Sequence, residues 1–125
     1  LGYEYVWPGP GRLLRSADPT GLYAEEQGSR LQWSTDWATW PVPTGATSFT
    51  LRVRSVAPFP QAVTIEPCGG ARRRVPLPDH DWHFIGGALE GCGPGDRLQL
   101  RVTPVWRPPD DARLLGVMTA DVRFE

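Results

Sequence analysis

The sequence predicts an all-β chain: a two-sheet antiparallel β-sandwich, jelly-roll-like, with about eight or nine strands. In residues 48–56, Phe49, Leu51 and Val53 alternate with Thr50, Arg52 and Arg54, a period of two that gives a strand one apolar and one wet face. Such a sheet needs a second layer over its apolar side. Fourteen Gly and fourteen Pro fall between short apolar runs, where they mark turns rather than helices. The apolar runs return every roughly 8 to 15 residues, the rhythm of a sandwich or barrel.

Taken in order, Tyr3 to Trp7 is a short aromatic strand closed by Pro8-Gly9-Pro10-Gly11. Asp18-Pro19-Thr20-Gly21 is a turn with Pro well placed, and Leu22 to Glu25 is the next strand. A Gln27-Gly28 turn then returns the chain through Arg30 to Trp33 as a hairpin. Trp33, Trp37 and Trp40 also fall at helical spacing, and Ser34, Thr35 or Asp36 would cap such a helix. Pro41 and Pro43 close that window too early and Thr35 and Thr39 favour extension, so the stretch is expected as strand and loop. After the strand at 48–56, Ala62 to Glu66 and Arg72 to Leu77 form a pair around Pro67-Cys68-Gly69-Gly70. Trp82 to Ile85 is a short strand and residues 86–95 a Gly-rich connection. Leu98, Leu100 and Val102 alternate with Arg97, Gln99 and Arg101, and a last strand runs from about Leu114 to Phe124. In it Met118, Ala120, Val122 and Phe124 are expected on one face and Val117 on the other.

At 125 residues the chain is one domain (1–125), large enough to bury about two-thirds of its unfolded surface. Thirteen basic residues, all of them Arg, against fourteen acidic ones provide no broad field for nucleic acid or anionic lipid. Nucleic acid is therefore not an expected partner. The start Leu1 to Trp7 has neither the basic end nor the apolar length of a signal peptide. No stretch approaches the roughly 20 apolar residues of a membrane helix. The chain begins at Leu1, without Met, and is expected to be part of a longer polypeptide.

Cys68 and Cys92 sit in Gly-rich connections flanking one region. A disulfide joining two loops at a sheet edge and a pair of free thiols are both open on this pattern. A disulfide would point to an oxidising compartment. Glu26 with Arg30 and Asp111 with Arg113 read as structural ion pairs. Asp79-His80-Asp81-Trp82-His83 gathers imidazoles and carboxylates, but on a strand only Asp79, Asp81 and His83 share a face, and the stretch reads as a solvated loop rather than a metal or catalytic centre. No nucleophile elbow, phosphate loop or placed carboxylate pair is recognisable. No cofactor and no catalytic residue is expected.

Several segments together resemble a known kind of module. Gly21-Leu22-Tyr23-Ala24-Glu25-Glu26, Arg30-Leu31-Gln32-Trp33-Ser34, Trp40-Pro41-Val42-Pro43, Phe49-Thr50-Leu51-Arg52-Val53 and Asp110-Asp111-Ala112-Arg113-Leu114-Leu115-Gly116-Val117 occur in an order that resembles bacterial β-sandwich modules attached to glycosyltransferases and other envelope-polysaccharide enzymes. The resemblance implies a non-catalytic accessory domain, similar to a carbohydrate-binding module, at the cell envelope or otherwise outside the cytoplasm, with a cytoplasmic setting as the alternative. A glycan and the neighbouring domains of the same polypeptide are the partners it implies.

Six tryptophans bear on that implication. Indole faces stack on the apolar faces of pyranose rings. Trp33, Trp82 and Trp106 lie inside strands and are expected in the core, whereas Trp37, Trp40 and Trp7 lie beside turns or Pro. The expected ligand-binding residues are Trp37 and Trp40 for stacking, with Asp36 and the arginines Arg72 and Arg74 for bidentate hydrogen bonds to hydroxyls. A structural or protein-interaction domain of a larger assembly or surface filament is the alternative, and a free-standing enzyme the third reading.

Overall fold

The computed structural model describes residues 19–23, 31–68, 71–111, 113–120 and 122–125. Among them the chain is all-β, with β1 (Thr20–Leu22), β2 (Gln32–Pro41), β3 (Ser48–Arg54), β4 (Gln61–Glu66), β5 (Arg73–Leu77), β6 (His83–Ala88), β7 (Arg97–Thr103), β8 (Met118–Thr119) and β9 (Arg123–Phe124). Every pairing is antiparallel. The strands follow one curled path, β5-β4-β7-β2-β8-β3-β6, with β1 laid against β2 and β9 against β3. The expected strand at Tyr3 to Trp7, the Gln27-Gly28 turn and the Glu26–Arg30 pair lie outside the described residues.

The ambiguous stretch between Trp33 and Trp40 is extended throughout. Its reason is pairing on both flanks: Gln32 and Trp33 bond to β8, while residues 37–41 bond to β7. No short helix could satisfy both neighbours. β2 is thus the strand through which the two ends of the path are joined. The opening alternation in β3 holds as read, with Phe49, Leu51 and Val53 at 2% exposure or less. Curling brings them and Phe124 into one core with Ala38, Trp40, Val63, Ile65, Leu98 and Leu100. Each fully buried aliphatic or aromatic side chain of this kind contributes about 1.5 to 3 kcal/mol.

The curl also draws the path's outer strands toward each other. Arg73 Nη2 on β5 donates to the Gly86 carbonyl on β6 at 2.8 Å, and the Glu90 N–H donates to the Cys68 carbonyl at 3.2 Å. Cys68 and Cys92 are joined as a disulfide, with Cα atoms 5.5 Å apart and a sequence separation of 24. A loop of that length gives a crosslink worth about 3 kcal/mol in the chain-entropy model.

A buried polar seam ties the middle of the sheet. Gln61 accepts from Ser55 Oγ at 2.7 Å and donates to the carbonyls of Pro104 at 2.8 Å and Gly116 at 3.0 Å. Ser34 exchanges backbone bonds with Val117 and Gly116, and its Oγ accepts the Val117 N–H at 3.0 Å. Gly116 is required by space: an added Cβ would collide with the Thr35 carbonyl and Ser34 Oγ.

Three sequence expectations are corrected. Gly86 and Gly87 belong to β6 rather than to a connection, because they pair with Thr50 and Phe49 of β3, where a Cβ at either would press within 3.1 or 3.2 Å of those residues. The last strand is broken into a Trp106–Leu115 bridge, β8 and β9. Val53 pairs with Thr119 but Phe49 with Phe124, so one extra residue lies on the β8–β9 side, a bulge that resets the alternation. Val117 and Thr119 therefore point into the core with Ala120 and Phe124, while Met118 lies half-exposed. Finally, Trp33, Trp82 and Trp106 are half-buried rather than core residues, because the phase of β2 puts Trp33 with Met118 and Arg54 on the outward side. The Trp33 and Trp106 rings meet edge-on at 6.2 Å.

Candidate functional site: the outward face of β2, β7, β4 and β5

On β2 the residues Ala38 and Trp40 face inward, opposite Leu100 and Leu98 of β7, so the two-residue period sends Trp37 and Thr39 to the other side, Trp37 into solvent and Thr39 buried against Thr20 and Arg97. The same registry runs on across the sheet. Trp37 pairs with Arg101, Arg101 with Thr64 of β4, and Thr64 with Arg74 of β5. Directly paired residues share a face, so these four side chains stand in one row across the strands. At about 4.8 Å per strand the row spans about 14 Å. A second row beside it runs from Thr39 through Gln99 to Glu66. Glu66 in turn holds Arg72 in an exposed ion pair at 3.5 Å.

Trp37 is fixed rather than loose. Its Nε1 donates to Gln99 Oε1 at 3.2 Å, and the Arg101 guanidinium lies over the ring at 4.8 Å from its centroid. The indole nevertheless keeps 44% exposure. Its strand is held from the far side by Gly21, whose φ of 80° lets β1 approach closer to the Trp37 carbonyl than any Cβ would allow. Farther along, Thr39 Oγ1 accepts from Arg97 Nε at 2.6 Å and shares a 2.7 Å hydrogen bond with Thr20. The platform is rigid and polar, with one indole at its end.

Of the residues expected to bind, Trp37, Arg72 and Arg74 come to this face. Trp40 does not. At 3% exposure it is packed in the core, so its ring faces are closed to any ligand. The sequence cue that misled was adjacency to Pro41; the deciding fact is its even position with Ala38 on a strand whose inner side is buried. Asp36 is exposed, but it lies in the stretch of β2 between the residues paired to β8 and those paired to β7, so it has no place in the row. Arg101, Thr64 and Gln99 were missed, although the alternation of Arg97, Gln99 and Arg101 had marked them as outward. What sequence lacked was the registry that sets β7 between β2 and β4.

No family model, curated protein or solved structure matches this chain. The geometry is therefore the basis for a functional reading.

Two other places were sequence candidates or are visible as clefts. Among the described residues no metal-binding group of His, Cys, Asp and Glu is assembled. Asp79 Oδ1 instead accepts the Asp81 N–H at 3.0 Å and contacts His83 Nε2 at 3.1 Å, contacts that hold its carboxyl below the usual range. His80 turns away to the Ala57 carbonyl at 2.9 Å. A cleft of about 200 Å³ beside them, lined by Phe59, Pro78, Asp79 and His80, is smaller than the roughly 300 Å³ at which small-molecule sites begin.

Proposed function

We propose that this chain is a non-catalytic carbohydrate-binding accessory module of a bacterial cell-envelope glycosyltransferase, and that the Trp37–Arg101–Thr64–Arg74 row is where the glycan lies. The observation that carries the reading is the row itself: one pinned, exposed indole at the end of a hydrogen-bonding sheet face. An indole supplies the apolar surface against which a pyranose stacks, and guanidinium and hydroxyl groups direct its hydroxyls. The same reading takes the curled sheet as a jelly-roll-like sandwich whose two layers are joined through β2, consistent with β2 pairing to β8 at one end and β7 at the other. It places the domain outside the cytoplasm, which the Cys68–Cys92 bridge supports.

The test is titration of the protein with a panel of soluble polysaccharides, followed by Trp fluorescence and calorimetry. Binding that is lost in Trp37→Ala, with an unchanged melting temperature, is the expected outcome; absence of binding to every polysaccharide sinks the reading. Trp40→Ala is not a binding control, since it opens the core.

A protein-interaction role is the second reading, favoured by Phe84, which is 57% exposed on β6 beside Arg52. Loss of association with the neighbouring domains of the parent polypeptide in Phe84→Ser, without any glycan response, would favour it.

A further inference from the structure

The charge pattern of the row narrows the glycan to a class. The chain as a whole has a formal charge of −1, but this face does not share that balance. Its outward positions carry Arg72, Arg74 and Arg101 against Glu66, and Glu66 is already engaged by Arg72. Among the described residues no carboxylate lies within ion-pair distance of Arg74 or Arg101. Both guanidiniums are on adjacent sites of one row, separated only by Thr64 of β4. Two strand spacings put their backbones about 10 Å apart, which is close to the length of a disaccharide unit in an extended polysaccharide. Arg101 is further held in place by stacking on Trp37.

We propose that the face recognises an acidic polysaccharide bearing a carboxylate on alternate sugars, a uronate-containing chain laid across β2, β7, β4 and β5. One sugar stacks on the Trp37 surface that Arg101 leaves open. Successive carboxylates meet the forks of Arg101 and Arg74, and the Thr64 hydroxyl contacts the sugar between them. Planar guanidinium forks match carboxylates in a bidentate geometry that neutral hydroxyls cannot fully use. This inference rests on the carbohydrate-binding reading above and adds the charge and the repeat.

Hyaluronan, which alternates a uronate with a neutral sugar, is the probe, compared by calorimetry with carboxyl-reduced hyaluronan, dextran and poly-glutamate at about physiological salt. Hyaluronan is expected to bind, the carboxyl-reduced polymer at least tenfold more weakly. Arg74→Gln and Arg101→Gln are each expected to cost roughly tenfold, the loss of one charge-assisted pair, with the melting temperature unchanged. Trp37→Ala is expected to abolish binding to both polymers. Equal binding of hyaluronan and its reduced form, or binding of dextran alone, overturns the acidic assignment and leaves the carbohydrate reading standing. Silence toward all the polysaccharides overturns both. Competition by poly-glutamate as strong as by hyaluronan shows that charge alone is read, and overturns the proposal. Uronate-dependent binding that survives both arginine substitutions overturns the location.

Discussion

The seam around Ser34, Gln61 and Gly116 and the open face around Trp37, Arg101 and Arg74 use polar groups in opposite ways. In the seam each polar atom is saturated from within: Gln61 alone joins Ser55, Pro104 and Gly116. On the face strand registry sets Arg74 and Arg101 in line, and among the described residues no carboxylate pairs with either. Burial makes the difference. A buried amide left unpaired costs about 1 to 3 kcal/mol, so seam residues must satisfy one another. A group kept in water loses little by waiting, and so can serve a ligand. Arg52 on the β3–β6 side is an intermediate case: it lies over Phe84 at 4.8 Å and near Trp82 at 5.3 Å, and burial pulls its guanidinium below the usual value.

The contrast divides variants into those that move stability and those that move binding. The largest effect is expected from opening the crosslink. Reduction, or Cys68→Ser with Cys92→Ser, should lower unfolding free energy by about 3 kcal/mol in denaturant titration. A cost below about 1 kcal/mol would mean that the Arg73–Gly86 and Glu90–Cys68 hydrogen bonds hold the outer strands together without the crosslink. Gly116→Ala comes next, at about 2 to 3 kcal/mol, because the Thr35 carbonyl and Ser34 Oγ are parts of the seam and cannot both give way. Gln61→Leu should cost about 2 kcal/mol by stranding Ser55 and the Pro104 and Gly116 carbonyls. A neutral result there would erase the distinction between seam and face. On the face, Arg101→Gln should leave the melting temperature unchanged while altering Trp37 fluorescence, since it removes the cation from over the ring.

The smallest expected effect is on acid stability. Asp111 accepts from the Arg113 side chain and N–H, with a closest contact of 2.8 Å, and these bonds hold its carboxyl below the usual carboxylate range. A carboxyl depressed in the folded state stabilises above its unfolded pKa and loses that contribution as pH falls through the folded value. The melting temperature of the parent chain should therefore fall slightly more than that of Asp111→Asn between neutral pH and about pH 3. Equal slopes would show the pair to be inert, as many exposed ion pairs are. The same pair was legible in sequence, and Arg113 also lies over the Tyr23 ring at 5.2 Å, which sequence did not suggest.

Alternation of apolar and polar residues was enough to mark β3, β4 and β7, because a half-buried strand writes its geometry directly into its own side chains. It failed at Trp33, Trp40 and the last strand, each for a nonlocal cause. Trp33 and Trp40 lie on opposite sides of β2, and which side is inner depends on β7 and β8. The reset between Thr119 and Phe124 depends on a register with β3 that no local pattern encodes. Of the face, the outward placing of Arg101 and Gln99 was readable from β7 alone; their meeting with Trp37 was not.

The amino-acid sequence by itself determined that this chain is extended, antiparallel in character and punctuated by Gly and Pro, since those properties follow from neighbours one or two residues apart. Only tertiary structure decided which tryptophan is core and which is presented, that Cys68 and Cys92 meet, and that Trp37, Arg101, Thr64 and Arg74 stand in line. Strand order and register join residues far apart in the chain, and the free energy that selects them belongs to the packed whole.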